Sequence, residues 1–221
     1  MKIAVIGGTG AEGSGLALRW AGAGHAVTLG SRDPTRAQSV AGELNALLGS
    51  GQVRGDSNEA AVRDADVVVL TVPFAVQRST VEGLAQLLTG KILVDVTVPL
   101  VPPKVSRVQL PAGGSCVVEV QRLLGDAVRV VSAFQNVGAH HLKDLHHQAT
   151  CDVLVTADDK EARALVCSLA DDAGLRGIDA GPLANSAAAE ALTSVLIWIN
   201  QKYKVPGAGI RITGLPGGSS A

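Results

Sequence analysis

The stretch KIAVIGGTGAEG, residues 2–13, decides the fold of this 221-residue chain. Residues 2–6 are rich in β-branched side chains, which predicts a strand. The G-x-G-x-x-G pattern Gly8, Gly10, Gly13 follows that strand directly and opens an apolar helical stretch. In such a loop the first glycine permits a tight turn, the second admits a pyrophosphate close to the backbone, and the third lets the helix pack closely against the strand. We therefore predict a dinucleotide site here, in preference to a purely structural turn.

Strand and helix patterns alternate along the rest of the chain. The first helix is expected to end near Ala23, before Gly24. Further strands are predicted at residues 25–29, 52–54, 66–71, 91–94, 128–132, 151–156 and 177–180. Alternation of this kind implies parallel strands joined by helical crossovers. The predicted fold class is α/β, with a doubly wound parallel (Rossmann) sheet and a small, mostly helical C-terminal lobe.

The end of the second strand indicates which nucleotide binds. An NAD site usually has an acid there for the ribose hydroxyl, whereas this chain has Ser31 and Arg32, with Arg36 four residues later. A hydroxyl and a guanidinium suit the 2′-phosphate of NADP. The alternative is that Asp33 binds the ribose and both arginines are solvated, but Asp33 before Pro34 is better explained as a helix N-cap. The prediction is NADP.

Composition restricts the function further. The chain is 47% hydrophobic, with 19 basic and 20 acidic residues, two Phe, two Trp and one Tyr. A nearly neutral chain with so few aromatic residues lacks the usual features of a nucleic-acid binder. Its three widely spaced cysteines are typical of reduced thiols, and we expect a cytoplasmic protein with no membrane span or secretory signal.

No convincing acid–base pair is found in the sequence. Four histidines cluster at His140, His141, His146 and His147. On a helix His140, Asp144 and His147 would share a face that could ligate a metal or relay a proton, but nothing completes a motif, so we predict a solvated face and no metal site. Glu190 is interpreted as either a buried acid of raised pKa or a residue that caps or pairs in an interface. Tyr203 and Lys204 are adjacent, without the spacing of one helical turn.

Two regions outside the core pattern stand out. Proline and glycine dominate residues 96–115, which predicts a long loop of functional interest. Asp158, with Glu161 three residues later, predicts a capping box.

We expect a nucleotide-binding domain at residues 1–180, a small helical lobe and dimerisation element at 181–215, and a flexible tail at 216–221.

The C-terminal helix, expected from about Leu183 to Tyr203, is unusually apolar. Glu190 is the only charged residue between Ala180 and Gln201. A helix of this kind must be covered around most of its circumference, and Leu192, Leu196 and Trp198 would otherwise form a large exposed patch. The helix therefore predicts a lobe centre, a homodimer interface, or both.

Four segments together resemble the coenzyme F420-dependent NADP oxidoreductases. They are GGTG at residues 7–10, Ser31-Arg32, LTVP at 70–73 and DAGPLANS at 179–186, and the similarity runs from residue 1 to about 215. The resemblance implies a dimeric enzyme with a Rossmann domain and a small C-terminal lobe. It also implies direct hydride transfer between NADPH and the deazaflavin F420, which fits the lack of an acid–base pair.

The resemblance also assigns residues to the site. Thr9, Gly10, Ala11 and Glu12 would contact the pyrophosphate, Ser31, Arg32 and Arg36 the 2′-phosphate, and Phe74, Arg78 and Val137 the nicotinamide half. Phe74, Val137, Gly138, Leu183 and Asn185 would enclose the deazaflavin. Its polar edges would be oriented by Gln135, Asn136 and Asn185.

The chain departs from the family at one segment of this site, where Gln135-Asn136-Val137-Gly138 replaces the His-Thr-Ile-Pro of archaeal members. Two other functions therefore stay open. One is an NADP-dependent imine or ketone reductase, and the other is a non-catalytic NADP-sensing module.

Overall fold

The computed structural model describes residues 1–139, 142–145 and 151–215. Six parallel strands form the main sheet in the order β3-β2-β1-β4-β5-β6, which is a doubly wound arrangement. Their bounds are β1 Lys2–Ile6, β2 Ala26–Ser31, β3 Val53–Ser57, β4 Val67–Leu70, β5 Ile92–Asp95 and β6 Arg129–Ser132. The predicted fold class is confirmed.

Helices cover both faces of this sheet. Helices α1 (Ala11–Gly22), α2 (Pro34–Leu48) and α6 (Lys160–Asp172) pack on one face, and α3 (Asn58–Arg63), α4 (Phe74–Leu88) and α5 (Cys116–Leu124) pack on the other. Successive side chains of β1 alternate between the two cores, with Ile3 and Val5 in the first and Ala4 and Ile6 in the second. Burial on both faces explains why the central strands β1, β4 and β5 are nearly continuous apolar runs.

The last two predicted strands form a separate sheet. Strands β7 (Asp152–Val155) and β8 (Arg176–Asp179) pair in parallel with each other and do not extend the main sheet. An antiparallel bridge between Ser132 and Thr156 connects β6 to the chain that follows β7.

Local capping chemistry confirms one predicted helix start and corrects another. Asp33 is the N-cap of α2, where its Oδ1 accepts from the amides of Thr35 and Arg36. The prediction that Asp158 caps the helix after β7 was wrong, because Asp159 accepts from the Ala162 amide in that position. Asp158 Oδ1 instead accepts from the amide of Leu183, 3.0 Å away, which is a contact far along the chain.

The C-terminal helix α7 spans Ser186–Tyr203, after a 3-10 turn at Leu183–Asn185. It therefore begins three residues later than predicted. Within residues 1–139, 142–145 and 151–215, no helix combines the length and apolarity that crossing a membrane requires.

Glu190 fixes this helix against α5. Its side chain is buried, and its carboxylate accepts from the Ser115 hydroxyl at 2.5 Å and from the Cys116 amide at 2.8 Å. Both donors lie at the N-terminus of α5, where a negative charge interacts favourably with the helix dipole. Glu190 is therefore a buried acid that also caps a helix, α5 of its own chain.

Candidate functional site

A cleft of about 970 Å³ follows the carboxyl ends of the central strands. Parallel sheets of this topology bind ligands at this edge. The lining comes from the segments after all of the first five strands, including the glycine loop after β1 and the long segment after β5. Residues that are far apart in sequence thus meet in one continuous groove.

The glycine loop has no space for side chains at two positions. A Cβ on Gly8 would lie 2.7 Å from the carbonyl oxygen of Val5. A Cβ on Gly13 would lie 2.5 Å from Thr71 Oγ1 and 2.8 Å from the Cα of Gly8. The loop also has a left-handed residue, Gly7, with φ of +77°. Because Gly8 and Gly13 lack a Cβ atom, the start of α1 can lie close to β1 and to the end of β4.

The first turn of α1 suits a pyrophosphate. Gly10 precedes the helix, and no side chain caps its amides there. Open helix N-termini of this kind bind phosphate groups through N–H donors and the helix dipole. Thr9, Gly10 and Glu12 line the cleft at this turn, and Ala11 is exposed beside them.

Glu12 introduces an acidic side chain where phosphate charge would lie. Burial raises the pKa of Glu12 to about 8. The raised pKa favours the neutral carboxyl group, which can donate a hydrogen bond to a phosphate oxygen without charge repulsion.

Cationic residues lie at one end of the cleft, next to the end of β2. Ser31, Arg32 and Arg36 line the cleft there, as the sequence predicted for a 2′-phosphate site. The hydroxyl of Ser31 accepts from the amide of Asp33, whose carboxylate is occupied in capping α2. No ion pair involves Arg32 or Arg36 within the part of the chain that the structure describes, so both guanidinium groups are available to an anion.

Asn58 also lines this end, and sequence reasoning missed it. It is the first residue of α3, directly after β3, and its Oδ1 is buried without a hydrogen-bond partner among the described residues. Its position after a parallel strand was the only signal that could have found it.

Apolar and hydroxyl side chains form the opposite end of the cleft. Thr71, Val72, Pro73 and Phe74 follow β4, and Val96, Thr97 and Val98 follow β5. Phe74 was predicted for the nicotinamide half, whereas the residues after β5 were not. This end suits a flat, uncharged ring.

Several predicted site residues do not line this cleft. The Arg78 side chain is 73% exposed and pairs with Glu82 on the outside of α4. Gln135 and Asn136 are buried, and their amide nitrogens donate to backbone oxygens of Asp95 and Asp152.

The remaining predicted residues lie near β6 and the C-terminal region. Val137 and Gly138 are half-buried after β6, and Leu183 is buried in the core beside α5. Asn185 is exposed, and its amide nitrogen donates to the carbonyl oxygen of Ala180. The four histidines His140, His141, His146 and His147 lie outside the described residues.

The sheet order, the glycine loop and the cleft at the strand ends define a Rossmann-type nucleotide-binding protein. The family described as NADP oxidoreductase, coenzyme F420-dependent, matches residues 2–99.

Similar proteins extend this match over the whole chain. The F420-dependent NADP reductase of Methanocaldococcus jannaschii is 41% identical over 97% of this chain and 99% of its own length. That of Methanothermobacter marburgensis is 39% identical over 98% of this chain and 100% of its own length. A crystal structure of a putative F420-dependent NADP reductase from an Arthrobacter species superposes with a TM-score of 0.79, with 28% identity over 96% of this chain and 99% of that one. The chain belongs to the F420-dependent NADP reductase family.

The glycine contacts generate a matched pair of variants. Gly13→Ala forces a methyl group against Thr71 and Gly8, and should lower the free energy of unfolding by about 1–3 kcal/mol and weaken NADPH binding about tenfold or more. Gly42→Ala, in α2, has open space around its new methyl group and should raise stability by about 0.4–1 kcal/mol. Urea unfolding and fluorescence titration measure both effects. Equal behaviour of the two variants would contradict the close approach at Gly13.

Proposed function

We propose that the protein transfers a hydride directly between NADPH and the deazaflavin coenzyme F420. Membership of the F420-dependent NADP reductase family supports this activity. The observation that carries the proposal is the division of the cleft into a cationic end at Arg32 and Arg36 and an uncharged end at Phe74. Such a groove suits a long molecule with a phosphorylated adenosine at one end and a redox-active ring at the other.

The proposed binding mode assigns a role to each part of the cleft. Ser31, Arg32 and Arg36 hold the 2′-phosphate, and the amides after Gly10 hold the pyrophosphate with Thr9, Ala11 and Glu12. Phe74 and the residues after β4 and β5 then border the nicotinamide ring.

The uncharged end of the cleft fits direct transfer. Thr71, Val72, Pro73, Phe74 and Val96 carry no titratable group. Hydride transfer between two stacked rings requires alignment and exclusion of water, and it does not require a protein acid or base. The bound nicotinamide supplies the hydride, and the chain supplies the orientation.

The second ring would lie against the nicotinamide at the strand ends. We propose that Val137 and Gly138, half-buried after β6, contribute one wall, and that the exposed Asn185 contributes the other, with the buried Leu183 packed behind it. Gln135 and Asn136 would fix the path of this segment, since their side chains are buried and donate to the backbone.

Stereospecifically deuterated NADPH tests the transfer itself. Stopped-flow mixing with oxidised F420 should place the label of one face of NADPH on the reduced deazaflavin, because a direct transfer does not exchange with water. Label recovered in solvent would contradict direct transfer. Turnover of an imine or ketone without F420 would favour the reductase alternative instead.

Arg32→Ala tests the assignment of NADP. Loss of a charge-assisted contact of about 1.5–3 kcal/mol should weaken NADPH binding about tenfold or more and leave NADH binding nearly unchanged. Arg122→Ala, at an exposed position of α5, is the control. An equal loss for NADPH and NADH in titration calorimetry would show that Arg32 does not contact the 2′-phosphate.

We also propose that the protein is a homodimer in which α7 packs against a second copy. Val195 is 43% exposed and Trp198, one helical turn further, is 58% exposed, while Tyr203 at the end of α7 is 70% exposed. Leu196, which the sequence predicted for this surface, is buried in the protomer. A symmetric dimer places the same surface of each copy in contact, so a single apolar stripe is self-complementary.

Trp198→Glu should convert the dimer to a monomer in sedimentation velocity at micromolar concentration, because it places a charge in a desolvated contact. Leu47→Glu changes a 64% exposed leucine of α2 and should leave the sedimentation coefficient unchanged. A wild-type protein that sediments as a monomer would refute the interface.

The cysteines support a cytoplasmic location for this reaction. Cys116, Cys151 and Cys167 are all free thiols. Burial raises the pKa of Cys167 to about 11, so this thiol is unreactive at neutral pH. Unpaired, inert thiols are typical of proteins in reducing compartments.

A further inference from the structure

Asp95 is a fully buried acid directly beneath the uncharged end of the cleft. It is the last residue of β5, and its side chain has no exposed surface. Its Oδ2 accepts from Gln77 Nε2 at 2.6 Å, and its Oδ1 accepts from the Thr97 amide at 2.9 Å. The carboxylate thus has a partner on each oxygen.

These two partners belong to two different elements that line the cleft. Gln77 lies in α4, three residues after Phe74, so it holds the turn that places Phe74 in the cleft. Thr97 itself lines the cleft in the segment after β5. The carboxylate of Asp95 is therefore a direct link between the two walls that border the nicotinamide end.

The backbone of Asp95 extends the link to β6 and α7. Gln135 Nε2 donates to the carbonyl oxygen of Asp95 at 2.8 Å and to Ser132 Oγ at 2.8 Å. The Thr193 hydroxyl of α7 donates to the carbonyl oxygen of Gln135. Asp95 thus connects α4 and the segment after β5 directly, and it connects the segment after β6 and α7 through Gln135.

The surroundings of Asp95 make its charge costly. Burial raises its pKa to about 6, and the nearby Glu190 of α7 adds to the rise, while the hydrogen bonds from Thr97 and Gln77 oppose it. The other titratable neighbour is Cys116 of α5, and burial raises the pKa of that thiol further above its usual value. Neither neighbour is a cation.

Because the pKa of Asp95 is raised, the folded protein binds a proton there more tightly than the unfolded chain does. The contribution of Asp95 to stability is greatest at low pH and falls as the pH rises from about 4 to about 6. Above this range the ionised group therefore costs stability. Residues that cost stability in this way are characteristic of functional sites.

We propose that Asp95 is a positioning residue for hydride transfer, whose ionised carboxylate holds the first turn of α4 and the segment after β5 in the arrangement that aligns the nicotinamide ring. This rests on the proposed function. Protonation removes one acceptor position, so the Gln77 or Thr97 contact is weakened and the two walls separate.

Asp95→Asn, which keeps the shape and removes the charge, tests the proposal. With NADPH and F420, kcat should fall about tenfold or more while KM for NADPH changes less than about threefold, because alignment is lost and binding at the distant phosphate site is not. The wild-type kcat should fall below pH 6 and the variant should lack this acid limb. Any titration of the substrates appears in both proteins and cancels.

The thermal stability of Asp95→Asn distinguishes a positioning role from a purely structural role, which would make the variant less stable than the wild type. At pH 7.5 the thermal midpoint of Asp95→Asn should equal or exceed that of the wild type, because a buried charge is removed. Asp126→Asn, at an exposed position, is the matched control and should alter neither kcat nor the pH profile. The proposal would be overturned if Asp95→Asn lowered stability and kcat and raised KM in parallel. It would also be overturned if Asp95→Asn kept the wild-type kcat and the wild-type acid limb.

A second variant covers failure of Asp95→Asn to fold. Gln77→Met removes the bond from α4 and leaves the carboxylate, so kcat should fall and the acid limb should move to higher pH, since a hydrogen bond to the ionised form is lost. Gln86→Met, on the exposed side of the same helix, is its control. An unchanged acid limb in Gln77→Met would contradict the proposal.

Fluorescence of bound NADPH separates this proposal from the proposed function. A wild type that does not reduce F420 would end the proposed function. The nicotinamide emission of bound NADPH should still change below pH 6 in the wild type and not in Asp95→Asn. Identical emission in both proteins across this range would refute positioning by Asp95 in either case.

Discussion

The close approach of α1 to β1 and β4 is the constraint on which the site depends. It exists because Gly8 and Gly13 have no side chains, so the Thr71 hydroxyl and the Cα of Gly8 can occupy the space next to Gly13. The same approach places the first turn of α1 at the cleft, and it brings the segment after β4 beside the glycine loop. The proposed phosphate site and the proposed border of the ring site therefore depend on one packing contact.

Buried acids organise the rest of the molecule in two different ways. Glu190 accepts from donors at the start of α5, an arrangement in which helix dipole and hydrogen bonds offset its burial. Asp95 accepts from the side-chain amide of Gln77 and the backbone amide of Thr97, and burial raises its pKa to about 6. The first acid joins the C-terminal helix to the core, and the second joins the walls of the cleft. The apolar face of α7 is left outward because Glu190 and Ser194 face inward.

Sequence reasoning was most successful where the signal is local. The glycine loop, the buried strands and the Asp33 cap are each determined by residues within one turn or one strand, and all are confirmed. It failed where long-range contacts decide. Asp158 satisfies a local capping pattern, yet it binds Leu183, and Asp95 was not singled out because its partners Gln77 and Gln135 lie 18 and 40 residues away. Nothing in a single sequence shows that Gln135 and Asn136 turn inward.

A crystal structure of the ternary complex with NADP⁺ and oxidised F420 is the most direct test of this account. The nicotinamide ring should lie between the segments after β4 and β5, with its C4 atom about 3.5 Å from C5 of a deazaflavin stacked on its exposed face. A deazaflavin bound elsewhere on the protein, or a nicotinamide ring outside the walls formed by Phe74 and Thr97, would contradict it.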